Sequence, residues 1–160
     1  MTDYLEAFVT ESNLIEGIIR PPTEFEVEAT RTFVHMRHIT PGDVANLVNI
    51  IANAPMRTQV GMDVSVGTHI PPLGGPDIRK QLRQLLIRAD MGDNAHGIHL
   101  QYETLHPFMD GNGRSGRAIW AWQRMRAGQS LEGGFLKMFY YETLENCEER
   151  NSIAIDSGRE

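Results

Sequence analysis

The chain has 160 residues, 41% of them hydrophobic and 22% charged, with a formal net charge of −6. That length supports one domain with its own core, and the acidic balance argues against a nucleic-acid binder, which carries a basic face. The single cysteine, Cys147, excludes an internal disulfide and fits a reducing compartment. No apolar run approaches membrane-spanning length and no basic-plus-apolar leader opens the chain, so a cytoplasmic protein without a membrane partner is expected; export as an effector stays open.

Apolar residues at three- and four-residue steps (Tyr4, Leu5, Phe8, Leu14, Ile15, Ile18) predict a first helix over 3–19, ended by Arg20-Pro21-Pro22. Thr23 and Glu26 form the pattern of a capping box that opens a second helix. Thr40-Pro41 opens a third, with proline at its first helical position. Residues 56–75 lose the helical rhythm. Val64-Ser65-Val66 alternates as a half-buried strand does, and Gly67 marks a turn, so a short β-hairpin followed by a proline-rich loop is predicted. Helices over Asp77–Met91 and Ala95–Leu105 follow, the first with an apolar face of Ile78, Leu82, Leu85, Leu86 and Ala89. A further helix runs from Arg114 to about Arg126, and a last amphipathic one from Phe135 to Leu144. Trp120 and Trp122, two residues apart, are not expected to face one core together. Beyond Glu145 the sequence is polar. His96 and His99 stand at i,i+3, but no carboxylate or cysteine completes a metal set, and His99 is expected to pack behind the site.

The stretch His106-Pro107-Phe108-Met109-Asp110-Gly111-Asn112-Gly113-Arg114-Ser115-Gly116-Arg117 concentrates the chemistry. Its glycines and asparagine favour a turn, and the helix that follows offers unpaired N–H groups and a positive dipole end to an anion. Arg114 and Arg117 rise three residues apart from that helix's first turns and suit a phosphate chain. Asp110 would be repelled by the same phosphates unless a cation intervenes, which a Mg²⁺ held by one carboxylate plus phosphate oxygens provides. His106 is the side chain suited to take a proton near neutral pH. Phosphoryl or nucleotidyl transfer follows from the loop alone.

The stretch resembles the Fic family signature, His-x-Phe-x-(Asp/Glu)-Gly-Asn-Gly-Arg-x-x-Arg, at every specified position. The residues from Ala95 through His99 and Tyr102 to His106 resemble the family's lead into that signature. The resemblance implies an all-α fold, a compact Fic-type domain of about six to eight helices with a short β-hairpin flap. It implies an enzyme that transfers AMP from ATP to a Tyr, Thr or Ser hydroxyl of a target protein or of itself. His106 would be the general base and Asp110 the Mg²⁺ ligand. Gly111, Asn112 and Gly113 would cradle phosphates, with Arg114 on the β- and Arg117 on the γ-phosphate. Phe108 would anchor the loop. The flap, with Val64, Ser65, Val66 and Gly67, would add a strand to the target segment.

Ser12-Asn13-Leu14-Ile15-Glu16-Gly17 resembles the family's inhibitory motif, (Ser/Thr)-x-x-x-Glu-(Gly/Asn), in an N-terminal position. This implies that Glu16 makes a forked ion pair with Arg117 in the seat of the terminal phosphate, with Ser12 fixing the glutamate. The expected organisation is therefore an inhibitory helix in 1–22, a catalytic domain in 23–150 and a polar tail in 151–160. No accessory domain is expected, and a homo-oligomer is compatible with the chain. Alternatives are a Fic-fold enzyme that transfers UMP or phosphocholine or removes AMP, and a silent nucleotide-binding regulatory module.

Overall fold

Caps and helix breakers set the ends of the elements. In the computed structural model, residues 3–157 are described, with side chains through residue 149. Seven helices follow in order: α1 (Tyr4–Ile15), α2 (Glu24–Val34), α3 (Pro41–Ile51), α4 (Asp77–Asp90), α5 (Ala95–Leu105), α6 (Asn112–Arg126) and α7 (Phe135–Ser157). The architecture is all-α, as the sequence pattern implied.

The two capping boxes form as predicted. Thr23 N–H donates to Glu26 Oε2 at 2.7 Å and Glu26 N–H donates to Thr23 Oγ1 at 3.1 Å. The Arg20 guanidinium, 2.8 Å from Glu26, holds that carboxyl down at a pKa of about 2. Thr40 and Asp43 make the second box, with Pro41 in the first turn. Helix α4 buries the apolar face predicted for it and leaves Arg79, Lys80, Arg83 and Arg88 outside.

Four expectations about the helices are corrected. Helix α1 stops at Ile15, because Gly17 (φ 76°) closes it: Ile18 N–H donates to the Asn13 carbonyl and Gly17 N–H to the Leu14 carbonyl. This paired backbone arrangement is the Schellman closure that a left-handed glycine permits. Helix α6 begins at Asn112, earlier than its glycines suggested, since only Gly111 (φ 79°) needs the left-handed region. Trp120 and Trp122 are both buried, at 1% and 0% exposure. The reason is that α6 has no solvent side over this length: it packs against α1, α2, α3 and α5. Trp120 meets Phe135 edge-on at 5.0 Å, and Trp122 Nε1 donates to the Met36 carbonyl at 2.8 Å. Finally, α7 continues to Ser157, past the predicted end at Leu144, so the segment assigned to a polar tail is helical through residue 157.

The hairpin is reduced to one antiparallel bridge, Val66 with His69, whose N–H and C=O groups exchange two bonds of 2.9 Å. Val64 and Ser65 are not a strand. A second bridge, Met56 with Phe108, ties the segment before the flap to the loop after α5.

Candidate active site

The loop between α5 and α6 is held at both ends and from behind. Its first residue, His106, ends α5 in the left-handed conformation (φ 50°, ψ 63°), unusual for a residue with a side chain. Pro107 contributes, because a following proline disfavours the α conformation that would continue the helix. Phe108, fully buried, is the loop's apolar anchor. Its N–H donates to Asn112 Oδ1 at 2.9 Å and its carbonyl accepts from Asn112 Nδ2 at 2.8 Å. The Asn112 side chain is thereby committed to closing the loop, and its part in any phosphate cradle is indirect. Ser115 Oγ donates to the Gly111 carbonyl at 2.7 Å and pairs with the Tyr102 hydroxyl at 2.6 Å, fixing the first turn of α6 to α5.

Arg57 completes the support; the sequence marks it as the start of the flap region but not as the tie that holds the loop. It is fully buried. Its Nε donates to the His106 carbonyl at 2.7 Å and Nη2 to the Leu105 carbonyl at 3.0 Å. Nη1 donates to the carbonyls of Met62 at 3.0 Å and Pro72 at 2.9 Å. One guanidinium thus joins the C-terminus of α5, the backbone of His106 and both arms of the flap region. Burial lowers its pKa from the ordinary arginine value, and Asp63 opposes that. The only signal in the sequence was an arginine in an otherwise apolar and glycine-rich approach to the flap. His69 Nε2 pairs with the Thr104 carbonyl at 2.9 Å, a second tie from flap to α5.

Helix α6 starts without a side-chain cap. Its first-turn N–H groups therefore meet the condition for an anion site. An anion is there. Glu16, at the end of α1, lies over Gly113, where a Cβ would collide with Glu16 Oε1. Arg117 Nη2 donates to Glu16 Oε1 at 2.6 Å and to the Ser12 carbonyl at 3.0 Å, and Arg117 Nε donates to Ser12 Oγ at 2.8 Å. The expected fork onto Glu16 is thus a three-point grip, and Ser12 holds the arginine rather than the glutamate. The cause is the early end of α1. Glu16 N–H bonds to the Asn13 carbonyl, which leaves the Ser12 carbonyl for the guanidinium. The negative end of α1 also favours a cation there. Arg117 side-chain exposure is 6% and that of Glu16 is 38%, so the carboxylate is the solvent-facing partner.

The remaining sequence candidates are placed as follows. Arg114 does not join this grip: its Nη1 donates to the Ile51 carbonyl at 2.5 Å, at the end of α3. Asp110 is exposed, and its Oδ1 accepts from Gly111 N–H at 2.7 Å. That bond orients the carboxylate at the mouth of the α6 N-terminus, which fits a cation shared with phosphate oxygens. Among the described residues no group of three or more His, Cys, Asp or Glu could hold a metal unaided, and a shared cation does not need one. Burial lowers the pKa of His106 below the ordinary 6.5, while the Glu103 backbone works the other way. His99 is packed behind the loop against Phe135 and Phe139, and burial pushes its pKa to about 4. Val64 is half-buried and Ser65, Val66 and Gly67 are exposed beside this centre.

No helix among the described residues is long and apolar enough to cross a membrane. No curated protein matches the chain. The family model for the Fic/DOC family matches residues 36–123, from just past α2 through most of α6, which contains the flap, the loop and Arg117. The chain belongs to the Fic/DOC family, generally a family of transferases.

Proposed function

We propose that the protein is a self-inhibited protein adenylyltransferase, moving AMP from ATP to a Tyr, Thr or Ser hydroxyl of a target protein or of itself. The observation that carries this reading is the Arg117 grip. A buried guanidinium at an uncapped helix N-terminus holds a carboxylate that is itself accessible to solvent. A guanidinium so placed suits a terminal phosphate equally well, so Glu16 and ATP would compete for one seat.

The chemistry then follows from the chain's own groups. His106 takes the proton from the target hydroxyl, whose oxygen attacks the α-phosphorus in line while pyrophosphate leaves. Depression of the His106 pKa keeps the imidazole neutral, hence basic, down to a lower pH than an ordinary histidine. Its strained backbone, tied through its carbonyl to Arg57, fixes the ring's position. Gly111, Gly113 and the first turn of α6 offer N–H groups to the phosphates, with Asn112 holding the loop in shape. Arg114 reaches the β-phosphate by leaving the Ile51 carbonyl, and Arg117 takes the γ-phosphate when Glu16 withdraws. Asp110 is the residue that would hold Mg²⁺, which supplies charge neutralisation to the phosphates. With Glu16 seated, ATP is displaced from in-line geometry, and a misplacement of this kind costs about a hundredfold in rate. The flap, with one bridge and exposed backbone around Val66 and Gly67, would pair with the target segment.

The test is the intact mass of wild type, Glu16→Gly and Glu16→Gly/His106→Ala proteins after incubation with ATP and Mg²⁺, alone and with cell lysate. Adenylyl adducts on Glu16→Gly protein or on lysate proteins, about a hundredfold faster than with wild type and lost with His106→Ala, are the expected result. Adducts of another mass would replace ATP by another donor. Equal rates with and without Glu16 would remove it from inhibition.

A further inference from the structure

Glu103 takes no part in the chemistry above, yet it lies beside the same seat. It stands on α5, three residues before His106 and four after His99, on the side that meets α6. Helix α6 admits it because residue 116 is glycine: a Cβ there would lie 2.5 Å from Glu103 Oε1. Gly113 and Gly116 are thus two bare positions on α6, with Glu16 over the first and Glu103 over the second. Glu103 Oε1 is buried and has no hydrogen-bond partner. Its nearest candidate, His99 Nε2 on the same helix, is 3.9 Å away and beyond bonding distance.

The side chain as a whole is 32% exposed, so it is the sealed, unbonded Oε1 that makes this an unfavourable place for a charge. Burial accordingly pushes the Glu103 pKa up to about 7, with Glu16 adding to the rise and Arg117 opposing it. The charged and titratable groups around it are Glu16 from α1, Arg117 from α6, and His99 and Tyr102 on α5, with His106 reaching its backbone. From α7 the Phe135 and Phe139 rings reach His99.

We propose that Glu103 is a positioning residue whose proton gates the anion seat on Arg117. The seat accepts Glu16 or a terminal phosphate while Glu103 is a neutral acid, and an ionised Glu103 claims Arg117 as its own counter-ion. The proposal rests on the adenylyl-transfer reading for the identity of the phosphate. Its logic is that two anions over neighbouring positions of α6, Glu16 over Gly113 and Glu103 over Gly116, disfavour each other's charge beside one buried guanidinium. A phosphate carries more negative charge than Glu16 and so holds the Glu103 proton more firmly. Filling the seat therefore draws in a proton wherever the empty seat has already released it.

The experiment is calorimetric titration of Glu16→Gly protein with a magnesium-bound, non-cleavable ATP analogue. It is run in two buffers of different ionisation enthalpy, from about pH 6 to about pH 8.5. The expected result is uptake of up to about one proton per nucleotide, with affinity falling toward tenfold per pH unit across part of the range. In Glu16→Gly/Glu103→Gln protein, which keeps the shape of the neutral acid, that uptake disappears and affinity stays high at alkaline pH. Uptake that persists undiminished in the Glu103→Gln protein would assign it to another group, His106 foremost, and overturn the proposal. So would a flat profile in the parent. Absence of nucleotide binding in both proteins, with helical content intact by circular dichroism, would overturn the transferase reading and this proposal with it. A carboxyl with a merely structural role would leave the proton count unchanged.

Discussion

Arg57 and Arg117 are both nearly sealed from solvent, at 0% and 5% exposure, and they are held in opposite ways. Arg57 is gripped by four backbone carbonyls, those of His106, Leu105, Met62 and Pro72. Backbone carbonyls have no rotamers and cannot withdraw. The N–H groups of Arg117 are gripped by α1, through the Ser12 hydroxyl and carbonyl and the carboxylate of Glu16 at the helix end, while the Phe135 ring lies 5.9 Å from the guanidinium. One arginine is a fixture and the other is a socket. The difference teaches how one small domain can keep the backbone of His106 rigid while leaving the anion contact on Arg117 exchangeable.

The contrast is broken most severely at Arg57. Arg57→Met leaves four inward carbonyls without their donor, and a loss of about 3–5 kcal/mol of stability is expected, read by urea denaturation. Activity should fall even at temperatures where the variant is folded, because the His106 carbonyl loses its anchor. A variant as stable as wild type would show that the flap, not the guanidinium, holds the loop.

Acid sharpens the contrast next, because the surroundings of Arg117 titrate and the carbonyls around Arg57 do not. His99 has a folded pKa of about 4 against an ordinary 6.5. The folded state therefore binds fewer protons, and its stability is fully present above pH 6.5 and declines as pH falls toward 4. The loss approaches about 3 kcal/mol at the lower limit. His99→Leu should flatten that acid limb in thermal unfolding from pH 7 to pH 4; an unchanged slope would place the titrating group elsewhere.

Ser12→Ala is the smallest change. It removes one of the three contacts on Arg117 while leaving the carbonyl and Glu16, at a cost of about 1–2 kcal/mol for a bond to a charged group. Resting transfer activity should rise up to about tenfold, less than with Glu16→Gly. A rise equal to that of Glu16→Gly would make Ser12 the principal element of the grip.

Much of this molecule is legible in the chain, and the exceptions share a cause. The capping boxes at Thr23 and Thr40 are local patterns, and local patterns survive folding. The loop at 106–117 is legible because its chemistry is contiguous. The end of α1 was also available, since Gly17 is a left-handed stop, but the apolar steps through Ile18 and Ile19 outweighed it. Arg57 was illegible because its partners are carbonyls, which carry no residue identity, and because two of them, at 105 and 106, lie far along the chain. The two tryptophans were misjudged because a single apolar stripe was assumed for a helix that is enclosed on several sides. The flap was over-read as strand: two valines alternating with serine give a period but only one bridge. Glu103, an acid in the middle of an amphipathic helix, has the sequence appearance of a solvated residue. Only the glycine opposite it on α6 reveals where it sits.

Glu16 caps the C-terminus of α1, held locally by its own N–H bond to the Asn13 carbonyl and by the backbone closure at Gly17. Opening the seat therefore needs one frayed turn and not the undocking of a helix. Helix ends rearrange in about 0.1–1 μs, far faster than a catalytic cycle of milliseconds or longer. The closed and open forms would then exchange many times before any one adenylyl group is transferred. For the transferase proposed above, resting activity would be a duty cycle, the fraction of time the turn spends open, with each contact on Arg117 adjusting that fraction by degrees.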